Sequence, residues 1–386
     1  MNTTLKTVLI TLIVVLIIGL IGFLVYNFFI KKPGDEYVPG EFPEGEEGEF
    51  VPPEEELVLE AELKIKAISQ EAVLTPTLTS DRTAVIYYTR ANGNVWQSDF
   101  DGSNLTQVSD SVLENLIKVV WSTDKKGAIT IFQDPLGNIS KYFYNHETEK
   151  ALPLNKYIDY ITWSPDATKI AYQYQNELTD ENNINTSNPD GSNPSTVIRT
   201  RIKDLVVEWP KGEEIFLREK PSGLVQSSLY SLSPLTKTFT KVISNIYGFS
   251  IKWSIEGDKL LYSKTNSNGK DIVIFIANRN GSDQKATKVS TLAEKCVWSQ
   301  DPRTIFCAVP KNINDARILP DDFYKGTFLA DDDFWKINIE TGEKIKILED
   351  WDMPETYDAI DLFLSPQESY LLFINKVNGL LYSIAL

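Results

Sequence analysis

Two cysteines, one histidine and a surplus of carboxylates are what this chain offers for chemistry. Cys296, Cys307 and His146 fall short of the ligands of a Cys/His zinc site. Any histidine-dependent mechanism would rest on His146 alone, and the run Tyr144-Asn145-His146-Glu147-Thr148 reads as a turn in which it is a loop residue. There is no Gly-x-Ser-x-Gly nucleophile turn and no phosphate-cradling glycine loop ending in Lys-Ser/Thr. Carboxylates alone can hydrolyse glycosides, but no pair among the 54 acids is singled out by position. The expectation is therefore no catalytic residue, no cofactor, no bound metal and no enzyme.

Three acidic or sulfur-bearing segments have spacings that point to other roles. Cys296 and Cys307 flank the turn Gln300-Asp301-Pro302-Arg303 symmetrically, so they should face each other on adjacent strands, as a disulfide or as two buried thiols. Asp99-Phe100-Asp101-Gly102-Ser103 has the outline of a calcium loop but lacks its distal glutamate, and reads as a plain turn. The segment Lys311–Asp333 is a long insertion mixing aromatics with acids. Its candidate binding residues are Asp321, Asp322, Phe323, Tyr324, Asp331, Asp332 and Asp333. It is either a binding site or a plug over a central channel. A second acidic loop, Glu177-Leu178-Thr179-Asp180-Glu181, belongs to the same face.

The elements that position these residues follow from internal repetition. Trp-Ser-x-Asp/Glu recurs at Trp121, Trp163, Trp253 and Trp298, with degenerate copies at Thr79, Trp209 and Leu364. The spacings are 42, 42, 46, 44, 45 and 66 residues, and the long last interval holds the insertion. Each repeat contains short alternating β-branched and aromatic segments separated by Gly/Asn/Asp turns such as Asp190-Gly191-Ser192 and Asn280-Gly281-Ser282. Four strands in 40–45 residues, repeated seven times, predict an all-β, seven-bladed β-propeller. The last repeat ends at its third strand, so the segment 63–69 is expected to supply the missing outer strand and close the ring. A tryptophan repeated in nearly every blade is a packing residue, and Ser/Asp caps its turn.

These repeats resemble the TolB-like, WD-repeat-like propellers of bacterial envelope proteins over residues 57–386. The likeness rests on the Trp-Ser-x-Asp and Asp-Gly-Ser turns. It implies the fold and leaves the role open, because one fold hosts many functions. The chain departs from TolB in having seven repeats, an apolar N-terminal run and no α/β domain ahead of the repeats, so TolB's partners do not carry over.

Ahead of the propeller (57–386) lie a short tail (1–6), an uncharged apolar run (7–30) and an acidic, Pro/Gly-rich linker (31–56). A run of 24 residues bounded by Lys6 and Lys31-Lys32 is long enough for one transmembrane helix. It lacks the short apolar region and small-residue site of a cleaved signal peptide. Ten acids and five prolines within 33–56 make the linker a solvated spacer. The net charge of −16, with no basic cluster, argues against a nucleic-acid partner. The expectation is a single-pass, extracytoplasmic, monomeric propeller acting as a protein-interaction scaffold for an envelope or surface protein. The alternative is small-ligand or glycan binding at the channel mouth, with or without a bound cation.

Overall fold

The computed structural model describes residues 64–386. The expected membrane span, the linker and the first residues assigned to the propeller lie outside them. Among the described residues no helix is long and apolar enough to cross a membrane.

The described chain forms seven antiparallel four-stranded sheets, each a consecutive meander. These are the blades: 73–109, 116–153, 158–199, 206–247, 251–286, 296–346, and a seventh made of 359–385 with Ile65–Ala67. In each blade the first strand is innermost. The seventh takes its outer strand from the chain start: Ile65 pairs with Ile384, Lys66 with Ser383 and Ala67 with Tyr382. Ile65 and Ile384 are fully buried in the cluster that joins blades 6 and 7. The expected closure by 63–69 is thus realised by 65–67, with Ile68 N–H adding a bond to the Leu381 carbonyl at 2.8 Å.

The repeated tryptophans hold one blade to the next. Trp121 Nε1 donates to the Thr75 carbonyl at 2.8 Å, Trp163 to Val120 at 2.9 Å and Trp298 to Lys252 at 3.2 Å, each acceptor lying on the inner strand of the preceding blade. Trp253 reaches the Glu208 carboxylate of blade 4 at 2.9 Å. At Thr75 the pairing register shifts between Leu74 and Thr77. A bulge there releases a carbonyl from the ladder for Trp121 to use. The Ser and Asp of the motif close the turn as expected, with Ser122 Oγ donating to Asp124 and Ser164 Oγ to Asp166, both at 2.6 Å. The calcium-like loop is a plain turn, with Asp101 Oδ1 accepting from Ser103 N–H at 2.9 Å and Oγ at 2.6 Å. Its Gly102 has φ +82°, and a Cβ there would lie 2.8 Å from Ile68 of the closing strand. Only glycine allows this turn to lie against its neighbour.

His146 sits in the turn after the strand Ile139–Asn145, as expected, with its ring stacked on Trp121. Cys296 and Cys307 face each other in register and form a disulfide, which resolves the two sulfur alternatives. Both are fully buried. The bond closes a loop of sequence separation 11. Reducing it is expected to cost about 2–3 kcal/mol on the chain-entropy model, seen as a lower Tm in a thermal melt with reductant. An unchanged Tm with both thiols alkylated would refute this.

Candidate functional site

A meander of antiparallel strands sorts its connections onto two faces. Links between first and second strands, and between third and fourth, emerge on one, here the turn face. Links between second and third strands, and between blades, emerge on the other, here the loop face. The strand Ile65–Ala67 is an outer strand running toward the loop face, so the described chain begins on the turn face.

The long insertion lies on the loop face, between the strands Thr304–Pro310 and Asp332–Asn338, where the repeat spacing put it. No helical period was evident in it, yet it contains a five-residue helix, α1 (Asp321–Lys325). A single turn is too short to show a period and is held by its contacts instead. Leu319, Phe323, Phe328 and Ala330 form a small apolar core with Ile272 and Leu292 of the main body.

The seven candidate binding residues are brought to one region, but most are engaged by the protein itself. Asp321 accepts from Gly223 N–H at 2.7 Å and Ser222 Oγ at 3.0 Å, tying the insertion to blade 4. Asp322 accepts from the N–H groups of Arg317 and Ile318 at 2.8 and 3.0 Å, and these bonds hold its carboxyl below the usual range. Phe323 is buried, and its carbonyl receives Lys376 Nζ of blade 7 at 2.7 Å. Asp331 pairs with Lys311 at 3.0 Å and Asp333 with Lys346 at 3.4 Å. The Tyr324 ring edge is partly exposed, but its hydroxyl turns inward to Glu294 at 2.6 Å. Burial pushes the Glu294 carboxyl up. Burial and the Glu294 charge push the Tyr324 phenol up.

Asp332 is fully buried. Lys295 Nζ lies 2.8 Å from Asp332 and 2.7 Å from Asp358, with the Ala359 carbonyl at 2.8 Å. Lys376 Nζ stands 3.9 Å from Asp358 and 3.9 Å from the centre of the Phe323 ring. Two lysines and two aspartates therefore balance in a seam under the insertion, with Lys295, Asp332 and Asp358 buried and Lys376 half-buried at its edge. Burial pushes Asp332 up to about 6, even against the Lys295 charge. Sequence reading missed Lys295 and Asp358, because nothing local marks a lysine after Leu292-Ala293-Glu294 as buried. Among the described residues no group of three or more His, Cys, Asp or Glu is arranged to hold a metal ion.

The two faces differ in what they expose. Loop-face links of five blades carry exposed large apolar side chains: Leu136 in blade 2, Leu178 in blade 3, Leu224 and Val225 in blade 4, Leu329 in blade 6 and Val377 in blade 7. The link from blade 6 to blade 7 adds Trp351, which is 80% exposed. The turn face offers Leu235, Ile255 and the terminal Leu386. The sequence carried a signal for this in the apolar residue at each turn tip, as in Asp134-Pro135-Leu136-Gly137 and Glu177-Leu178-Thr179.

No family model and no curated protein matches the chain. Solved structures do match in fold. An oligogalacturonate lyase in complex with manganese shares 12% identity at a TM-score of 0.60, over 83% of this chain and 93% of that one. The Swd1 β-propeller domain from Myceliophteria thermophila shares 11% identity at a TM-score of 0.51, over 83% and 99%. TolB from Acinetobacter baumannii gives 11% identity, a TM-score of 0.45 and coverage of 71% and 62%. The propeller fold is thus shared with the lyase and the Swd1 domain, and membership of the TolB-like, WD-repeat-like family does not follow from it. The expectation that the chain is not an enzyme is corrected here. A propeller of this fold serves a lyase, so the fold does not exclude catalysis. The missing nucleophile motif excludes only that one chemistry.

The buried seam makes a pH-dependent prediction. A carboxyl whose folded pKa lies above its unfolded value binds more protons folded than unfolded between the two. Stability from Asp332 therefore rises as pH falls from 7 toward 4. Asp332→Asn removes this term, so the Tm of the native chain relative to D332N should increase between pH 7.5 and 5. A constant Tm difference across that range would count against the raised pKa.

Proposed function

We propose that the chain is a membrane-anchored scaffold. In this reading the run 7–30 spans the membrane, 31–56 spaces a monomeric propeller outside the cytoplasm, and the loop face binds an envelope or surface protein. The carrying observation is the display of exposed large apolar side chains on loop-face links of blades 2, 3, 4, 6 and 7, more than the turn face offers. Contiguous exposed apolar groups on a soluble surface mark interaction sites, and an exposed tryptophan such as Trp351 is the residue type that anchors them. The insertion serves as part of this platform, since its contacts with blades 4, 5 and 7 fix Leu329 in place.

Glycan or small-ligand binding at the channel mouth has less to rest on. The acids that would grip a cationic group, Asp321 and Asp322, already accept hydrogen bonds from Ser222, Gly223, Arg317 and Ile318.

The test is cross-linking capture from native membranes with the full chain. Leu136→Asp, Leu178→Asp and Trp351→Asp together should lower capture of a discrete partner at least tenfold. Leu235→Asp with Ile255→Asp on the turn face should leave it unchanged. Equal capture by both variants, or no partner with the native chain, would overturn the proposal.

A further inference from the structure

A cavity of about 910 Å³ lies away from the insertion, in a cleft between blades 1 and 2. Tyr88 and Val95 form its blade 1 wall, and Phe132, Tyr142 and Tyr144 its blade 2 wall. The inter-blade link 110–115 roofs it on the loop-face side.

The charges around the cleft have one sign. Asp110, Glu114, Asp134 and Glu149 line it, and no lysine or arginine does. None of the four forms an ion pair among the described residues. The nearby Lys126 and Lys141 are paired instead with Glu147 and Asp159. Lys150 lies between the lining residues Glu149 and Ala151, and the alternation of a strand turns it away from the cleft.

A second, independent feature points inward. Tyr88 is 1% exposed, yet its hydroxyl has no hydrogen-bond partner among the described residues, and it faces this cleft. His146 also lines it, with a buried Nε2 left unpartnered. A buried polar atom such as His146 Nε2 costs free energy until a partner arrives. Both groups can accept from an N–H donor, His146 because burial lowers its pKa and keeps the ring neutral.

We infer that this cleft docks a basic segment of the partner protein, an extended stretch bearing lysine or arginine side chains. The inference rests on the scaffold reading and names the chemistry of what is bound. Ammonium or guanidinium groups would sit against the Tyr142 and Tyr144 rings, facing the unpaired carboxylates of Asp110, Glu114 and Glu149, while that of Asp134 is held by its own turn. Exposed Val108 and Val112 at the rim suit the alkyl stems of such side chains. Carboxylates contributed by blade 2 and by the roof match several spaced cations better than one. Asp110 and Glu114 of the roof, with Asp134 of the link between the second and third strands of blade 2, place this end of the cleft on the loop-face side, where the partner is proposed to sit.

The experiment uses the full chain and a fluorescein-labelled octapeptide of alternating lysine and valine, followed by anisotropy. Saturable binding is expected, weakening with added salt. Glu114→Gln with Glu149→Gln should weaken it at least tenfold, as should Tyr142→Ala, with Tm confirming that each variant is folded. The loop-face triple variant should bind the peptide like the native chain. No saturable binding, or binding unchanged in the Glu114/Glu149 variant, overturns the inference. So does equally tight competition by spermine, which would make the cleft a site for small polyamines. Loss of peptide binding with undiminished dependence of partner capture on Trp351 would sink this inference and leave the scaffold reading standing.

Discussion

The ring is set by one repeated hydrogen bond, from the indole N–H of a tryptophan at the end of an inner strand to an acceptor on the inner strand of the preceding blade. Each such bond fixes the angle and height of one blade against the next, and the indole's apolar faces fill the wedge between them. Trp121, Trp163 and Trp298 make it to backbone carbonyls and Trp253 makes it to Glu208. The seams that lack it are held otherwise. Trp209 bonds its own turn at Gly212, and blades 3 and 4 are joined instead by Gln173 and Asn182, which donate to the Ile202 carbonyl at 2.8 and 2.7 Å. Blades 7 and 1, with Leu364 and Thr79 at the tryptophan positions, are joined by the chain itself through Ile65–Ala67.

This division of labour explains why the two faces differ. Much of the turn face is used by the fold: its Ser/Asp turns close strands, and its glycine turns at Gly102 and Gly281 lie against the outer-strand segment of the preceding blade at Ile68 and Val242. Loop-face links carry no such duty, so their length and composition are free. The long insertion and the exposed Leu136, Leu178 and Trp351 all fall on that side.

What the sequence made legible was whatever repeats. Blade number, strand order, the closing strand, the facing cysteines and the place of the insertion all follow from spacing, because spacing is what the blade geometry imposes. The state of the insertion's acids was not legible. Asp321 and Asp322 look alike as neighbours on α1, yet one reaches across to Ser222 and Gly223 while the other folds back on Arg317 and Ile318. Asp332, grouped with them by proximity, begins a strand and is wholly buried. The cleft of blades 1 and 2 was invisible for a related reason. Tyr88, Tyr142 and Glu114 are far apart in the repeats and meet only because two blades face each other.

The seam between blades 6 and 7 ties these points together. Leu364 stands where the tryptophan would be, so no indole bond reaches back from blade 7. Its place is taken on the turn face by Glu368, which accepts from Ser299 Oγ of blade 6 at 2.9 and 2.8 Å. Toward the loop face it is taken by Lys295 bridging Asp332 and Asp358. A lysine there needs a dry roof, since water would screen the pairing that holds the seam. The insertion supplies that roof with Phe323, whose ring lies 5.1 Å from Lys295 Nζ. The longest loop of the ring thus sits over the seam that lacks a tryptophan because the ion network beneath it requires cover, and in covering it the loop also carries Leu329 to the exposed face.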